Sequence, residues 1–231
     1  AISNDGFSPL QIASQYNSAS CISLLIEGGA DANFLTHVGF TALHIAAQGN
    51  RSSCIPLLIV GGADVNAVTH EGFFSLHIAA QNKSAACIPL LINAGHCVNA
   101  RLPSGHTPLH VAAQDDSTSC IPPLLKRGAD VRAVTKKGAT ALHIASEYGS
   151  ASCIPLLLRA GANVNAVDNL GCTALHMACQ FNNKSCIQLL LRAGVDVTAV
   201  NNKGHSALHT ATQYNSMSCV QLLLAKNERM S

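Results

Sequence analysis

The sequence is 231 residues long, 48% hydrophobic and only 11% charged, so it holds enough apolar side chain for a sizeable core. Its formal net charge is +2 and its basic residues adjoin one another only in pairs, which excludes the basic surface that a nucleic-acid backbone requires. No apolar run approaches the roughly 18 residues that a membrane span needs.

The first residues, Ala1, Ile2 and Ser3, show neither the charged region nor the apolar region of a signal peptide. There is also no initiator Met. We therefore expect an excised domain of a longer protein.

The whole sequence then repeats every 33 residues without an insertion. A Leu recurs as Leu10, Leu43, Leu76, Leu109, Leu142, Leu175 and Leu208, and a Gly recurs as Gly6, Gly39, Gly72, Gly105, Gly138, Gly171 and Gly204. Such a period predicts one solenoid, in which each unit buries its apolar face against its neighbours. The seven repeats are 3–35, 36–68, 69–101, 102–134, 135–167, 168–200 and 201–231, and together they form a single domain. The seventh stops after its second helix.

Each repeat opens with a helix signal. In repeat four, Thr107 can cap the free amides of a helix start, and Pro108 suits the first helical position, where an amide would have no partner. Ser8 and Pro9 do the same in repeat one. In repeat three Phe74 takes the cap position, which should cost of order 1 kcal/mol and make this repeat locally softer.

A second helix and a loop complete each repeat. Ile55, Leu58 and Ile59 form an apolar stripe that ends at Gly62, and a hairpin-like loop follows. A proline stands early in this helix in repeats two to five, as Pro56, Pro89, Pro122 and Pro155. We expect these four helices to begin late, capped by Ser53 in repeat two and Ser119 in repeat four, so that the proline falls in the first turn.

Two segments carry a family resemblance: 105–113 (GHTPLHVAA) and 62–67 (GADVNA) resemble the ankyrin repeat signature. The resemblance extends over essentially all of the chain. It implies an all-α, ankyrin-repeat solenoid of helix-turn-helix units with hairpin-like loops, stacked with a curvature. The hairpin tips and first helices would line a concave binding face.

Seven of the ten cysteines follow the repeat, as Cys21, Cys54, Cys87, Cys120, Cys153, Cys186 and Cys219. Equivalent positions of stacked helices lie roughly 8–10 Å apart, beyond the ~7 Å Cα separation that a disulfide allows. We therefore expect free thiols that pack as small hydrophobes. Free thiols indicate a reducing, intracellular compartment, and we expect the cytoplasm. A translocated effector is one kind of protein that would fit this location. Cys97, Cys172 and Cys179 lie outside this series, and Cys172 could be exposed.

The histidines also follow the repeat, as His44, His77, His110, His143, His176 and His209. Their spacing matches no metal site, and in the ankyrin family this side chain braces turns through backbone hydrogen bonds. Asp64, Asp130 and Asp196 occupy a loop position at which an aspartate side chain hydrogen-bonds to its own backbone, so a structural role explains them. The sequence thus predicts no catalytic residue, no metal and no cofactor, and the protein is predicted not to be an enzyme.

Seven of the nine aromatic residues fall in two variable columns, one after the tip Gly and one late in the first helix. Because neither column needs an aromatic to complete the fold, we interpret them as anchors for a protein or an extended peptide with apolar groups and some acidic ones. The alternative is packing between neighbouring tips. The candidate partner-binding residues are Phe7, Phe40, Phe73, His37, His70, Tyr16, Tyr148, Phe181, Tyr214, Lys136 and Lys137.

Three further roles stay open beside binding. Asn33, Asn66, Asn99 and Asn165 occupy the loop position that asparaginyl hydroxylation targets in similar repeats. The stack could instead be a structural spacer. It could also oligomerise, because its terminal repeats are weakly polar apart from a modest cap at 226–229, although we expect the isolated domain to be monomeric.

Overall fold

The computed structural model describes residues 2–3 and 5–227, so Glu228 and Arg229 of the expected cap lie outside the described residues. Fourteen helices follow one another in this part of the chain. The first helices of the repeats are α1 (Pro9–Gln15), α3 (Ala42–Gln48), α5 (Ser75–Gln81), α7 (Pro108–Gln114), α9 (Ala141–Tyr148), α11 (Ala174–Gln180) and α13 (Ala207–Gln213). The second helices are α2 (Ala19–Glu27), α4 (Cys54–Val60), α6 (Ile88–Asn93), α8 (Ile121–Lys126), α10 (Ile154–Arg159), α12 (Lys184–Arg192) and α14 (Met217–Asn227). None of these helices has the length and apolarity to cross a bilayer.

The helices form two layers. Each first helix packs against the first helix of the next repeat, and each second helix packs against the next second helix. Ala46, Ala79, Ala112 and Ala145 are fully buried in the first layer, where their small side chains allow close approach. One continuous core therefore runs the length of the stack, as the period predicts.

Four of the repeated histidines connect their repeat to the next one, namely His77, His110, His143 and His176, whereas Nε2 of His44 is buried without a hydrogen-bond partner. At His110, Nδ1 accepts a hydrogen bond from the backbone N–H of Thr107 (3.2 Å). The proton must then be on Nε2, which donates to the carbonyl of Ala139 in repeat five (3.1 Å). His143 and His176 repeat this pattern. Burial lowers the pKa of His110 to about 4, so the ring is neutral, and the expected bracing role is confirmed.

Repeat three lacks the helix cap, as predicted. The Phe74 side chain offers no hydrogen bond to α5, and Nδ1 of His77 is buried without a partner. The Phe74 ring instead packs edge-on against His96, with centroids 5.2 Å apart. His96 occupies a position that is Ala in most other repeats, so two departures from the repeat pack against each other.

The proline-containing second helices begin late, which confirms the prediction. α6, α8 and α10 have six residues each, whereas α2 and α12, which lack the proline, have nine. The expected serine caps were wrong. Ser53 donates its hydroxyl to Oδ1 of Asn17 in the preceding repeat (2.8 Å), and α8 begins after Cys120 without a side-chain cap. A first-turn proline has no amide to satisfy, so the helix needs one cap fewer.

The cysteine series is buried as expected, except in repeat one. Cys54, Cys87, Cys120, Cys153, Cys186 and Cys219 have no exposed surface. The expectation of free thiols was wrong for one pair, because Cys179 and Cys219 form a disulfide with Cα atoms 5.4 Å apart. Cys179 on α11 and Cys219 on α14 are not equivalent positions, so the spacing between equivalent residues does not apply to them. The thiols of Cys87, Cys120, Cys153 and Cys186 also face the first helix of the preceding repeat, where each meets the backbone carbonyl of an alanine.

Hairpin tips join adjacent repeats. The N–H of Lys136 donates to the carbonyl of Ser104 (3.1 Å), and the N–H of Asn169 donates to that of Lys137 (3.0 Å). At Gly39 (φ +79°) a Cβ atom would lie 2.5 Å from the backbone nitrogen of His70, which explains the glycine. The tips therefore form a closely stacked edge beside the first helices.

Candidate binding surfaces

The column at the end of the first helices is exposed. We call it the helix-end column, and its members are Tyr16, Gly49, Asn82, Asp115, Tyr148, Phe181 and Tyr214. Its four aromatic side chains are between 48% exposed, at Phe181, and 72% exposed, at Tyr16. Tyr148, Phe181 and Tyr214 come from three consecutive repeats, so the stacking places them side by side along one edge.

The second column, which we call the tip column, contains Phe7, Phe40 and Phe73. All three rings are half-buried. Phe40 and Phe73 pack against the core, and the Phe40 ring lies 5.7 Å from that of His44. The cause is local: the tip closes through a hydrogen bond from Thr36 N–H to the Phe40 carbonyl (2.9 Å), next to α3. The alternative of packing at the tips thus gains support for these residues.

The polar candidates at the tips are exposed. The His37 ring lies against Gly6 and the His70 ring lies against Gly39, each crossing to the preceding tip. Lys136 and Lys137 are exposed on the tip of repeat five. Burial and the charge of Lys137 lower the pKa of His106, which places this lysine close to the fourth tip.

A cleft of about 150 Å³ lies between repeats three and four. Phe73, Leu102 and Val111 form its apolar wall, and Gln114 and Asp115 are among its polar residues. Oδ2 of Asp115 is buried without a hydrogen-bond partner, and burial raises the pKa of this carboxyl group. Asp115 is not among the candidate residues predicted from the sequence, where its only signal is that it is an acidic residue in the helix-end column.

The loop asparagines connect adjacent hairpins. Asn33 donates to the carbonyl of Gly62 (2.9 Å) and accepts from the N–H of Asp64 (2.7 Å). Asn99 makes the equivalent pair of bonds, and Asn165 accepts from the N–H of Asp196 (2.8 Å). Asn66, which is exposed, faces a loop where Cys97 replaces the aspartate. A structural role therefore accounts for three of the four.

Each end of the stack carries an apolar hollow. At the first repeat the hollow has a volume of about 790 Å³, and Ile12, Tyr16, Cys21, Leu24 and Leu25 line much of it. At the seventh repeat a hollow of about 520 Å³ has the lining residues His205, Leu208, His209, Thr212 and Gln213. Both lie where a neighbouring repeat would pack.

The comparisons agree with this architecture. A family model for ankyrin repeats matches in three copies, at residues 1–69, 76–168 and 142–231. The crystal structure of the ankyrin repeat domain of Bcl-3, described as a unique member of the IkappaB protein family, is similar at 30% identity with a TM-score of 0.77, covering 94% of this chain and 100% of that one. The human ASB11 ankyrin repeat domain is similar at 28% identity with a TM-score of 0.79, covering 93% and 97%. No curated protein matches the sequence. With two helices per repeat, the braced histidines and these matches, the chain belongs to the ankyrin repeat family.

Proposed function

We propose that this chain is a non-catalytic module that binds a partner protein or an extended peptide on its concave face, formed by the tips and the helix-end column. Ankyrin repeat domains are typically protein-protein interaction modules. The observation that carries the proposal is the exposure of four aromatic side chains in a column that the fold leaves free.

The C-terminal part of the helix-end column is the principal anchor in this proposal. Tyr148, Phe181 and Tyr214 expose large rings that lose few rotamers on binding, which is why aromatic residues dominate many interfaces. Lys136 and Lys137 would receive acidic groups of the partner, and His37 and His70 would contact it at the N-terminal tips. Phe40 and Phe73 offer their edges only, since their rings are half-buried.

Asp115 adds a point of specificity. Its Oδ2 atom meets no hydrogen-bond donor among the residues that the structure describes, and leaving a carboxylate oxygen buried and unpaired costs free energy. A partner N–H or hydroxyl group that enters the cleft beside Phe73 would supply the missing bond. We therefore expect the partner to place a donor next to an apolar group here.

The test begins by capturing the partner with the intact domain and identifying it by mass spectrometry. Its affinity is then measured for the triple variant Tyr148→Ala, Phe181→Ala, Tyr214→Ala, which should bind at least about tenfold more weakly. The matched control is Val60→Ala, Arg159→Ala, Arg192→Ala, because these exposed residues end the second helices, away from the column. Unchanged affinity of the folded aromatic variant would show that the concave face is not the binding surface.

Asparaginyl hydroxylation is the second candidate role, and it is favoured at Asn66, which is exposed and faces a loop in which Cys97 replaces the aspartate. Intact-mass measurement after co-expression with an asparaginyl hydroxylase would show steps of ~16 Da. An unmodified mass would count against this role. A structural spacer, the third candidate, predicts no discrete partner in the capture experiment.

We also propose a reducing compartment, the cytoplasm. Eight cysteines of the described chain are free, which supports this location, and the Cys179–Cys219 disulfide is the observation against it. Thiol labelling in intact cells, with the two disulfide cysteines read by peptide mapping, tests the assignment.

A further inference from the structure

The cleft between repeats three and four contains a leucine where the other repeats have a polar residue. In six of the seven hairpin tips, a polar side chain accepts a hydrogen bond from the backbone N–H four residues later, at 2.8 to 3.3 Å. The six residues are Ser3, Thr36, Thr69, Thr135, Asp168 and Asn201. Leu102 takes this position in repeat four and cannot accept the bond. Its buried side chain lines the cleft instead.

Two more residues of this cleft depart from the repeat. Val111 stands where repeats one, two, three and five have an isoleucine, so the wall is one methylene shorter. Asp115 is the only acidic member of the helix-end column. A leucine, a shortened wall and a carboxyl group therefore meet in one cleft of about 150 Å³. Natural proteins depart from local rules of stability mainly at functional sites, so the coincidence indicates a binding site.

The electrostatics of the cleft favour a cation. Oδ2 of Asp115 is buried, and no hydrogen-bond partner for it exists among the described residues. A buried carboxylate is stable only when it is paired. Asp115 also caps the C-terminal end of α7, where the helix dipole favours positive charge. The charge of Lys83 acts on Asp115, but Lys83 is exposed and does not bond to Oδ2. The matching cation must therefore come from another molecule.

The size and the wall of the cleft determine what can carry this cation. A volume of about 150 Å³ equals the share of about five water molecules in the liquid, which is room for one long side chain. Phe73, Leu102 and Val111 present apolar surface to it. Lysine and arginine bury their aliphatic stems along such surfaces while the charged head binds elsewhere. Burial lowers the pKa of His106, which also lines the cleft, so this ring is neutral and does not repel a cation.

We propose that the cleft binds one long cationic side chain of the partner, a lysine or an arginine, with its stem against Leu102 and Val111 and its charge on Oδ2 of Asp115. The proposal rests on the proposed function and specifies the donor that the concave face receives. The tips and the helix ends of this face then select opposite charges. Lys136 and Lys137 receive acidic groups, and Asp115 receives a basic one, so a partner that carries both docks in one orientation.

The cleft can be tested without knowing the partner. n-Butylammonium reproduces the lysine side chain, n-propylguanidinium reproduces the arginine side chain, and n-butanol is a neutral control of the same length as the first. Each is titrated into the domain while the NMR signals of the Leu102 and Val111 methyl groups are followed. Both signals should shift and saturate with a cation, and the tighter cation identifies the side chain. n-Butanol should bind at least about tenfold more weakly, because a charged donor bonds more strongly to a carboxylate.

Three variants separate the charge from the wall. Asp115→Asn keeps the shape of the side chain, and repeat three already carries Asn82 at this position, so it should fold and bind the cation roughly tenfold or more weakly. Leu102→Thr restores the tip hydrogen bond of the other repeats and removes the apolar wall, so it should bind roughly threefold or more weakly. The matched control is Glu147→Gln, because the other six repeats have Gln there and Glu147 lies in repeat five. It should bind the cation as the wild type does.

Several outcomes would overturn the proposal. One is the lack of any saturable shift at Leu102 and Val111, and another is n-butanol binding as tightly as the cations. A third is a cation affinity that the folded Asp115→Asn or Leu102→Thr variant leaves unchanged. These measurements need no partner protein, whereas the triple aromatic variant tests the concave face with the partner. Failure of the cleft therefore leaves the proposed function standing, and the reverse also holds.

Discussion

Repeats three and four have nearly the same first helix, but only in repeat four is the N-terminus of that helix capped by side chains. In repeat four, Thr107 and His110 bond to each other and His110 reaches the next repeat. In repeat three, His77 keeps the bond to the next repeat at 3.2 Å, while its Nδ1 atom is buried without a partner. A repeat can therefore lose its cap and still stack, because the bond between repeats and the core survive.

Acid should have the largest effect on stability, and it should act equally on repeats three and four. Burial lowers the pKa of His77 and His110 alike, from 6.5 to about 4. Below pH 6.5 the unfolded chain binds protons that the folded chain does not, so stability present above that pH is lost as pH falls towards 4. Each of these histidines then contributes a loss of about 3 kcal/mol. Urea unfolding near pH 7.5 and 4.5 measures it, and equal midpoints would contradict neutral buried rings.

Removing each histidine in turn should sharpen the comparison. His110→Ala removes three hydrogen bonds, two with Thr107 and one to the Ala139 carbonyl, and leaves the buried Thr107 N–H unpaired, so we expect a loss of about 3 kcal/mol. His77→Ala removes one bond and an unpaired nitrogen, so the loss should be smaller, about 1–2 kcal/mol. Urea unfolding at neutral pH compares the two. Equal losses would mean that the cap contributes nothing.

Restoring the cap should have the smallest effect. In Phe74→Thr, a hydroxyl group can bond to Nδ1 of His77, which should stabilise the protein by about 1 kcal/mol. Phe74→Thr also removes the contact between the Phe74 and His96 rings, and this loss offsets part of the gain. The double variant Phe74→Thr, His96→Ala should therefore be more stable than Phe74→Thr alone. Thermal unfolding measures both, with Phe74→Ala as the control that removes the ring without adding a cap. Identical stability of the Thr and Ala variants would exclude a cap effect.

The features that the sequence predicted correctly are those set by a few adjacent residues. The cap lost at Phe74 and the late helices at Pro56 and Pro89 depend only on backbone chemistry within one turn. The half-burial of Phe40 and Phe73 was not foreseen, because it depends on how the tip folds back beside a helix. The disulfide and the Asp115 cleft join residues from different repeats at non-equivalent positions, which a comparison down the columns does not bring together.

The Cys179–Cys219 disulfide also bears on how the stack comes apart. In a chain whose repeats contact only their neighbours, unfolding begins at the ends, one repeat at a time. The covalent bond ties α14 to α11, so repeat seven cannot separate from repeat six while it is intact. Repeat one has no such bond, and its Cys21 is free. Local unfolding should therefore be easier at repeat one than at repeat seven, so the amide protons of α1 and α2 should exchange with solvent before those of α13. Reduction of the disulfide should make the exchange rates of the two ends similar.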